Sequence, residues 1–211
     1  YNDKIIYFPN WCEDILKMDS RDIRTLPEGF RIMMAGNLSD ATGLDGVVEV
    51  IKRTAVNSEI KWIFVGGGNR EEWLRHTIKE CRLDGCCEVL GRFPFEDMPS
   101  LYKLADVMFI SLKPTTYQHL EQTIPARLQS YIAAGKPVVG MIGEGVTQLI
   151  NEINCGVCVN AGDYEACAET ILKIVADRSQ LSTWSKNARE YYLQNYTKSS
   201  CLDNLVTLIS E

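Results

Sequence analysis

Phe30-Arg31-Ile32-Met33-Met34-Ala35-Gly36-Asn37-Leu38-Ser39-Asp40-Ala41-Thr42-Gly43-Leu44-Asp45-Gly46-Val47-Val48-Glu49-Val50-Ile51-Lys52-Arg53-Thr54-Ala55 carries two different periodicities in sequence. Arg31 to Ala35 is a short apolar run ending in glycine, the pattern of a buried strand. Leu44, Val47, Val48, Ile51 and Ala55 then recur at i, i+3, i+4, i+7 and i+11, so one face of a helix covers that strand. The same alternation continues. Lys61 to Val65, Cys86 to Leu90, Val107 to Leu112, Pro137 to Met141 and Gly156 to Val159 read as buried strands. Helical patterns lie between them. One opens with Asn69 and Glu72 at capping-box spacing and carries Leu74, Ile78 and Cys81. A short one holds Leu101, Leu104 and Ala105. Others run from about Pro125 to Ala134, Val146 to Glu152 and Tyr164 to Ala176. Strand, helix, strand order of this kind predicts a parallel sheet covered on both faces, a doubly wound α/β domain. Ser179 to Gln194 and Lys198 to Ser210 add two terminal helices, and Ile5 to Phe8 reads as one extended strand before the repeating part.

The whole chain has 211 residues, 45% hydrophobic and 24% charged, with 22 Lys+Arg against 28 Asp+Glu and a net charge of -6. That is the composition of one folded domain. No apolar run approaches the roughly 20 residues of a membrane-spanning helix. With no basic run to neutralise phosphates, nucleic acid is excluded as a partner. The start Tyr1-Asn2-Asp3-Lys4 carries neither an initiator Met nor a signal-peptide pattern, which predicts a piece of a longer protein. The eight cysteines fall mostly within apolar patterns, fitting a reducing cytoplasm. Cys155-Gly156-Val157-Cys158 has redox or metal spacing, yet it lies in a strand-like run and reads as core packing. Cys86-Cys87 is vicinal and supplies no second zinc pair.

Ligands of open parallel sheets sit beyond the carboxyl ends of the strands, which narrows the search to a few loops. Gly36 to Gly43 offers either amides for a phosphate or a plain strand-to-helix turn capped by Asp40 or Thr42. Gly66-Gly67-Gly68 fails as a dinucleotide fingerprint, because Glu71 stands where the third glycine belongs, and it reads as a flexible turn freeing the strand end. Gly91-Arg92-Phe93-Pro94 brings a cation and an aromatic face to the same rim; a lone Arg there is also commonly just solvated. The polar loop from Lys113 leads to Thr123-Ile124-Pro125-Ala126-Arg127, where Pro125 suits a first helical turn and Gly135 a terminator. Free amides near Pro125 and Ala126, with Arg127 beside them, make an anion site; the alternative is an ordinary amphipathic helix with Arg127 in solvent.

Read in order, these segments resemble the C-terminal half of a GT-B fold glycosyltransferase of the large retaining group called family 4, a Rossmann-like domain. Phe8-Pro9-Asn10-Trp11 resembles the interdomain Pro-Asn-Gly turn, and Gly36-Asn37-Leu38 with Gly43-Leu44 resembles Gly-Arg-Leu and Lys-Gly-Leu. Phe64-Val65-Gly66-Gly67-Gly68 resembles Val-Gly-Asp-Gly, and Leu90-Gly91-Arg92-Phe93 and Tyr102-Lys103-Leu104-Ala105-Asp106-Val107 stand where Phe-Leu-Gly and Tyr-x-x-Ala-Asp are found. Most specific is Ile124 to Val138, similar to Pro-x-Lys followed by Tyr-Met-Ala-x-Gly-Lys-Pro-Val. The resemblance makes residues 1–211 a donor-binding domain, with 1–27 as an interdomain segment, 195–211 as a C-terminal helix, and the N-terminal acceptor domain absent. It implies transfer of a sugar from a nucleotide-sugar, UDP-linked, to a polysaccharide or lipid-linked acceptor, closest in motif to O-antigen and capsule transferases.

By position, Arg92 and Phe93 would contact the base. Gly36, Asn37, Thr42, Thr123, Ile124, Pro125 and Arg127 would face the diphosphate, and Gln122 and Ser130 would lie near sugar and ribose. Asn37 and Thr42 replace the family's pyrophosphate-binding Arg and Lys, and Gln122 and Ser130 replace its two glutamates, leaving Arg127 and Lys113 to supply cationic contacts. No catalytic residue is identified, and no metal or other cofactor is expected. The implied partners are a nucleotide-sugar and the absent half, through which the full-length protein could associate peripherally with the inner face of a membrane. The fragment alone is expected to bind donor and transfer nothing. The rival readings are a GT-B sugar-nucleotide epimerase and a noncatalytic nucleotide-binding or scaffolding module.

Overall fold

The computed structural model describes residues 8–19, 25–115 and 124–210. Six strands, β1 (Phe30–Ala35), β2 (Ile60–Val65), β3 (Cys87–Gly91), β4 (Val107–Ser111), β5 (Val138–Ile142) and β6 (Gly156–Asn160), form one sheet in the order β3-β2-β1-β4-β5-β6. Every pairing is parallel. The helices are α1 (Leu44–Thr54), α2 (Glu71–Glu80), α3 (Met98–Leu104), α4 (Ala126–Ala133), α5 (Glu144–Ile153), α6 (Tyr164–Ala176), α7 (Leu181–Asn195) and α8 (Lys198–Ser210). The alternation legible in the sequence is therefore the alternation observed, with boundaries shifted by a residue or two. The exception is the strand expected over Ile5 to Phe8, which lies outside the described residues but for Phe8.

Burial explains why four strands are nearly all apolar. β1, β2, β4 and β5 are interior strands with helices on both faces, so alternate side chains enter two separate cores. Ile32, Met34, Trp62, Phe64 and Phe109 meet α1, α2 and α6; Met33, Ile63, Met108 and Ile110 meet α3, α4, α5 and α7. The edge strands β3 and β6 are mostly half-buried, which matches their mixed sequences.

Two local expectations are corrected. Asn69 and Glu72 form no capping box: α2 begins after Arg70 without a side-chain cap, and Asn69 Nδ2 instead donates to Asp40 Oδ2 at 2.5 Å. Neither Asp40 nor Thr42 caps α1, whose N-cap is Gly43 in the left-handed region at φ 66°. Cys155 and Cys158 are free thiols, both pushed up to about 12 by burial, so the pair packs as the sequence suggests.

Residues 8–19 are tied to α4 and α7. Gln129 Nε2 donates to Asn10 O at 3.0 Å, the Cys12 amide to Tyr196 O at 2.9 Å, and the Tyr192 hydroxyl to Cys12 O at 2.8 Å. Arg189 Nη2 donates to Asp14 Oδ2 at 2.8 Å, and Nη1 stands 2.8 Å from Oδ1. The bond from Arg189 holds the Asp14 carboxyl below its ordinary value. A depressed carboxylate contributes stability that is complete above its unfolded pKa and is lost as pH falls through the lower folded one. Arg189→Ala is expected to lower the urea midpoint at neutral pH and to narrow its distance from wild type below about pH 4. An equal deficit at neutral and acid pH would remove Asp14 from that account. Among the described residues no helix is long and apolar enough to cross a membrane.

Candidate functional site

The chain runs outward from β1 through β2 to β3, then returns to place β4 on the other side of β1. A crevice opens at such a reversal, between the carboxyl ends of the strands on either side. Its width shows in the ladder. β1 pairs with β2 through Ala35↔Val65, but with β4 only at Ile32↔Val107 and Met33↔Met108. Past Met33 the strands part, which would orphan the polar groups of Ala35. Tyr131 of α4 replaces the missing partner: its hydroxyl accepts from Ala35 N at 2.9 Å and donates to Ala35 O at 2.7 Å. One phenol thus holds the crevice open and fixes α4 against the end of β1. Burial pushes that phenol up to about 12, so it stays neutral and can do both.

Arg127 stands one turn before Tyr131. Its side chain lies beside Gly36, where a Cβ on the glycine would sit 3.8 Å from Arg127 Cδ and Nε. Arg127 Nη1 is buried and has no hydrogen-bond partner. This corrects the alternative that Arg127 is merely solvated. Pro125 is the N-cap of α4, one position earlier than a first-turn proline, with its carbonyl taken by Leu128 N at 2.9 Å. The amides at the start of α4 therefore face the same crevice end as the guanidinium, and helix N-termini favour anions.

The loops after β1, β2 and β3 are stacked backbone on backbone. Gly36 N donates to Val65 O at 2.9 Å, Leu38 N to Gly67 O at 2.9 Å, and Gly66 N to Gly91 O at 2.8 Å. Gly66 has φ +125°, and a Cβ there would lie 1.9 Å from Gly36 O. The glycine run is therefore a tight apposition of two loops, and the reading of a flexible turn is corrected. Arg92 is exposed and lies over Gly67, whose Cβ would come within 2.5 Å of Arg92 Nε. Phe93 is half-buried against the core on the α4 side.

Gly36, Asn37, Arg92, Phe93, Pro125 and Arg127 are thus gathered around one rim, with Ile124 half-buried next to Pro125. Thr42 is not presented to it. Its side chain is fully buried and its hydroxyl donates to Ser39 O at 2.5 Å. Its carbonyl accepts from Ser111 Oγ of β4 at 2.7 Å, which ties the two sides of the crevice together. Lys113 is exposed, with its backbone against Gly43 and its amide donating to Ala41 O at 2.8 Å. Ser130 Oγ lies 3.7 Å from Cys12 Sγ, so the leading segment crosses that side of α4. Gln122 and Thr123 lie outside the described residues. No group of three or more His, Cys, Asp or Glu side chains suited to a metal occurs among the described residues. A hollow of about 440 Å³ lined by Lys61, Asp84, Cys86 and Glu88 lies at the amino ends of β2 and β3, away from this rim.

A parallel sheet in this order, with strand-end loops and a helix start gathered at its reversal point, defines the class of Rossmann-like domains. The chain belongs to the family of glycosyl transferases group 1, whose model matches residues 19–191. It is 23% identical over 198 residues, 93% of its length, to WcaL of Salmonella typhimurium, provisionally named a colanic acid biosynthesis glycosyltransferase. It is 25% identical over 150 residues, 71% of its length, to the amylovoran biosynthesis glycosyltransferase AmsK of Erwinia amylovora. The chain spans 48% of WcaL and 37% of AmsK, half or less of these curated relatives. Among solved structures it superposes on HepE of Anabaena in complex with UDP and glucose, with a TM-score of 0.72 at 17% identity, over 87% of this chain and 49% of that one. Sucrose-phosphate synthase of Thermosynechococcus elongatus gives a TM-score of 0.77 at 19% identity, over 96% and 51%. The fold is that of GT-B glycosyltransferases.

Proposed function

We propose that this domain holds the nucleotide-sugar donor of a glycosyltransferase that builds a polysaccharide or lipid-linked glycan, and that the nucleotide is UDP. The observation that carries the reading is the buried, unpartnered Arg127 Nη1 beside Gly36 at the start of α4. A buried guanidinium nitrogen without an acceptor is an unfavourable arrangement, and an anion at that position would complete it. A diphosphate lying along Gly36 and Asn37 would accept from Arg127 and from the first amides of α4. Arg92 and Phe93 are then placed for the base, Lys113 for the rim of the diphosphate, and Gln122, Thr123 and Ser130 for the sugar and ribose. When the bond from the anomeric carbon to the diphosphate breaks, the diphosphate takes the electron pair. Preorganised donors at that position stabilise the developing charge. The acceptor and the opposing wall of the cleft come from a domain outside this chain, and bringing the acceptor hydroxyl to the anomeric carbon is that domain's part.

HepE solved with UDP, and relatives named for colanic acid and amylovoran biosynthesis, support both halves of the proposal. Titration calorimetry with UDP, ADP and GDP tests it. UDP is expected to bind about tenfold or more tightly than either purine nucleotide, a difference of about 1.4 kcal/mol. Equal or tighter binding of ADP or GDP would overturn the choice of base.

A further inference from the structure

Ala35 ends β1 beyond the point where β4 has parted from it, since that ladder stops at Met33↔Met108. Ala35 is buried, and one side chain takes both of its polar groups: the Tyr131 hydroxyl accepts from Ala35 N at 2.9 Å and donates to Ala35 O at 2.7 Å. The second bond reaches further than the strand. Ala35 O belongs to the peptide unit shared with Gly36, whose N–H donates to Val65 O at 2.9 Å. A planar peptide held at both ends cannot turn, so its plane sets the direction in which Gly36 and Asn37 leave the sheet.

The same side chain fixes the facing wall. Tyr131 lies on α4 one turn after Arg127, fully buried, with its ring edge-on to Tyr102 of α3 at 6.0 Å between centroids. The Arg127 charge acts on the Tyr131 hydroxyl, opposing the burial that pushes it up to about 12. The Arg127 stem in turn runs beside Gly36, where a Cβ would lie 3.8 Å from Cδ and Nε. One hydroxyl therefore joins the Gly36 backbone to the helix that carries the guanidinium. A phenyl ring in its place would keep the ring contacts and leave the Ala35 N–H and C=O without partners.

We propose that Tyr131 is a positioning residue of the donor site, which fixes the separation of Arg127 from the Gly36 backbone and so the width of the cradle, a role that rests on reading this rim as the place of the diphosphate. Being fully buried, it meets no ligand itself. Charge-assisted hydrogen bonds are short and directional, so two walls that must reach one anion lose much of their joint effect when either is displaced. A base held by Arg92 and Phe93, after β3, does not depend on that separation.

Calorimetry of UDP and uridine on the 211-residue chain and its Tyr131→Phe, Arg127→Ala and Tyr192→Phe variants tests the role. Tyr131→Phe is expected to weaken UDP by about fivefold or more, to change uridine by less than about twofold, and to lower the melting temperature. In the double variant its loss should fall short of multiplying with that of Arg127→Ala, because part of it passes through Arg127. Tyr192→Phe removes another buried hydroxyl, the one bonded to Cys12 O at 2.8 Å, and should lower the melt while keeping the ratio of UDP to uridine affinity. An equal fall of that ratio in Tyr192→Phe would make the effect a general loosening and overturn the role. Arg127→Ala separates the two claims. If it lowers the ratio and Tyr131→Phe does not, the positioning role alone falls; if neither lowers it, the diphosphate reading falls and takes the role with it. If Tyr131→Phe does not fold, hydrogen exchange of the unmodified chain decides instead. A contact that favours a ligand is favoured by it in return, so saturating UDP should slow exchange of the Ala35 amide by about fivefold or more relative to saturating uridine. Equal exchange of that amide with the two ligands would overturn the proposal.

Discussion

Arg127→Ala is expected to weaken UDP binding by about ten- to a hundredfold, the equivalent of losing a charge-assisted hydrogen bond worth about 1.5–3 kcal/mol. Uridine, which lacks the diphosphate, is expected to lose little. The reason is that Arg127 Nη1 is buried and without a hydrogen-bond partner beside Gly36. Leaving such a donor without an acceptor costs about 1–3 kcal/mol, so removing it takes away a penalty along with whatever packing its stem supplies. The alanine variant should therefore melt close to the unmodified domain while binding UDP poorly. Arg127→Lys should fall between them for UDP, because an ammonium keeps the charge and loses the planar fork. Calorimetry with both ligands and a thermal melt separate the possibilities. Equal weakening of UDP and uridine with the fold intact would remove Arg127 from the diphosphate.

Gly66→Ala is expected to destabilise the domain by about 3 kcal/mol or more, near the upper end of what single substitutions do. Two independent strains meet at that position. The backbone sits at φ +125°, and the new Cβ would fall 1.9 Å from Gly36 O, a backbone atom that cannot rotate away. Relief requires the 36–38 loop to separate from the 66–68 loop, breaking the bonds from Gly36 N to Val65 O and from Leu38 N to Gly67 O. Because Gly36 also borders Arg127, UDP affinity should fall together with stability. For a chain of this size the melting temperature should drop by about 6–12 °C. Gly85→Ala is the matched control, since a Cβ there meets nothing within 4 Å, and it should leave both measurements unchanged. A Gly66→Ala domain that melts with the unmodified one would show that the loops are not pressed together.

Much of the rim was legible in the sequence, though unevenly. Gly36, Arg92 and Arg127 could be named because they stand after a strand or at a helix start, and strand ends in a parallel sheet point to one side. Thr42 stands in an equally suggestive place, yet its side chain turns inward, because it ends a short 3-10 turn, Asp40–Thr42, whose side-chain direction no periodicity records. Tyr131, four residues after Arg127, belongs to the motif-like run Ile124 to Val138, which assigns it no task. Its task appears only once Ala35, 96 positions away, lacks a strand partner.

The sequence by itself determined the elements and their buried faces. Periods of two and 3.6 residues are local records of burial, and glycine and proline mark where backbone geometry must change. Only the tertiary structure decided the order β3-β2-β1-β4-β5-β6, and with it the place where β1 and β4 part. Strand order is settled by the packing of all the crossover helices against the sheet at once, a sum of long-range contacts that no stretch of sequence carries. The same long-range packing sets Arg127 against Gly36 with one nitrogen unpaired, the arrangement on which the proposed diphosphate site rests.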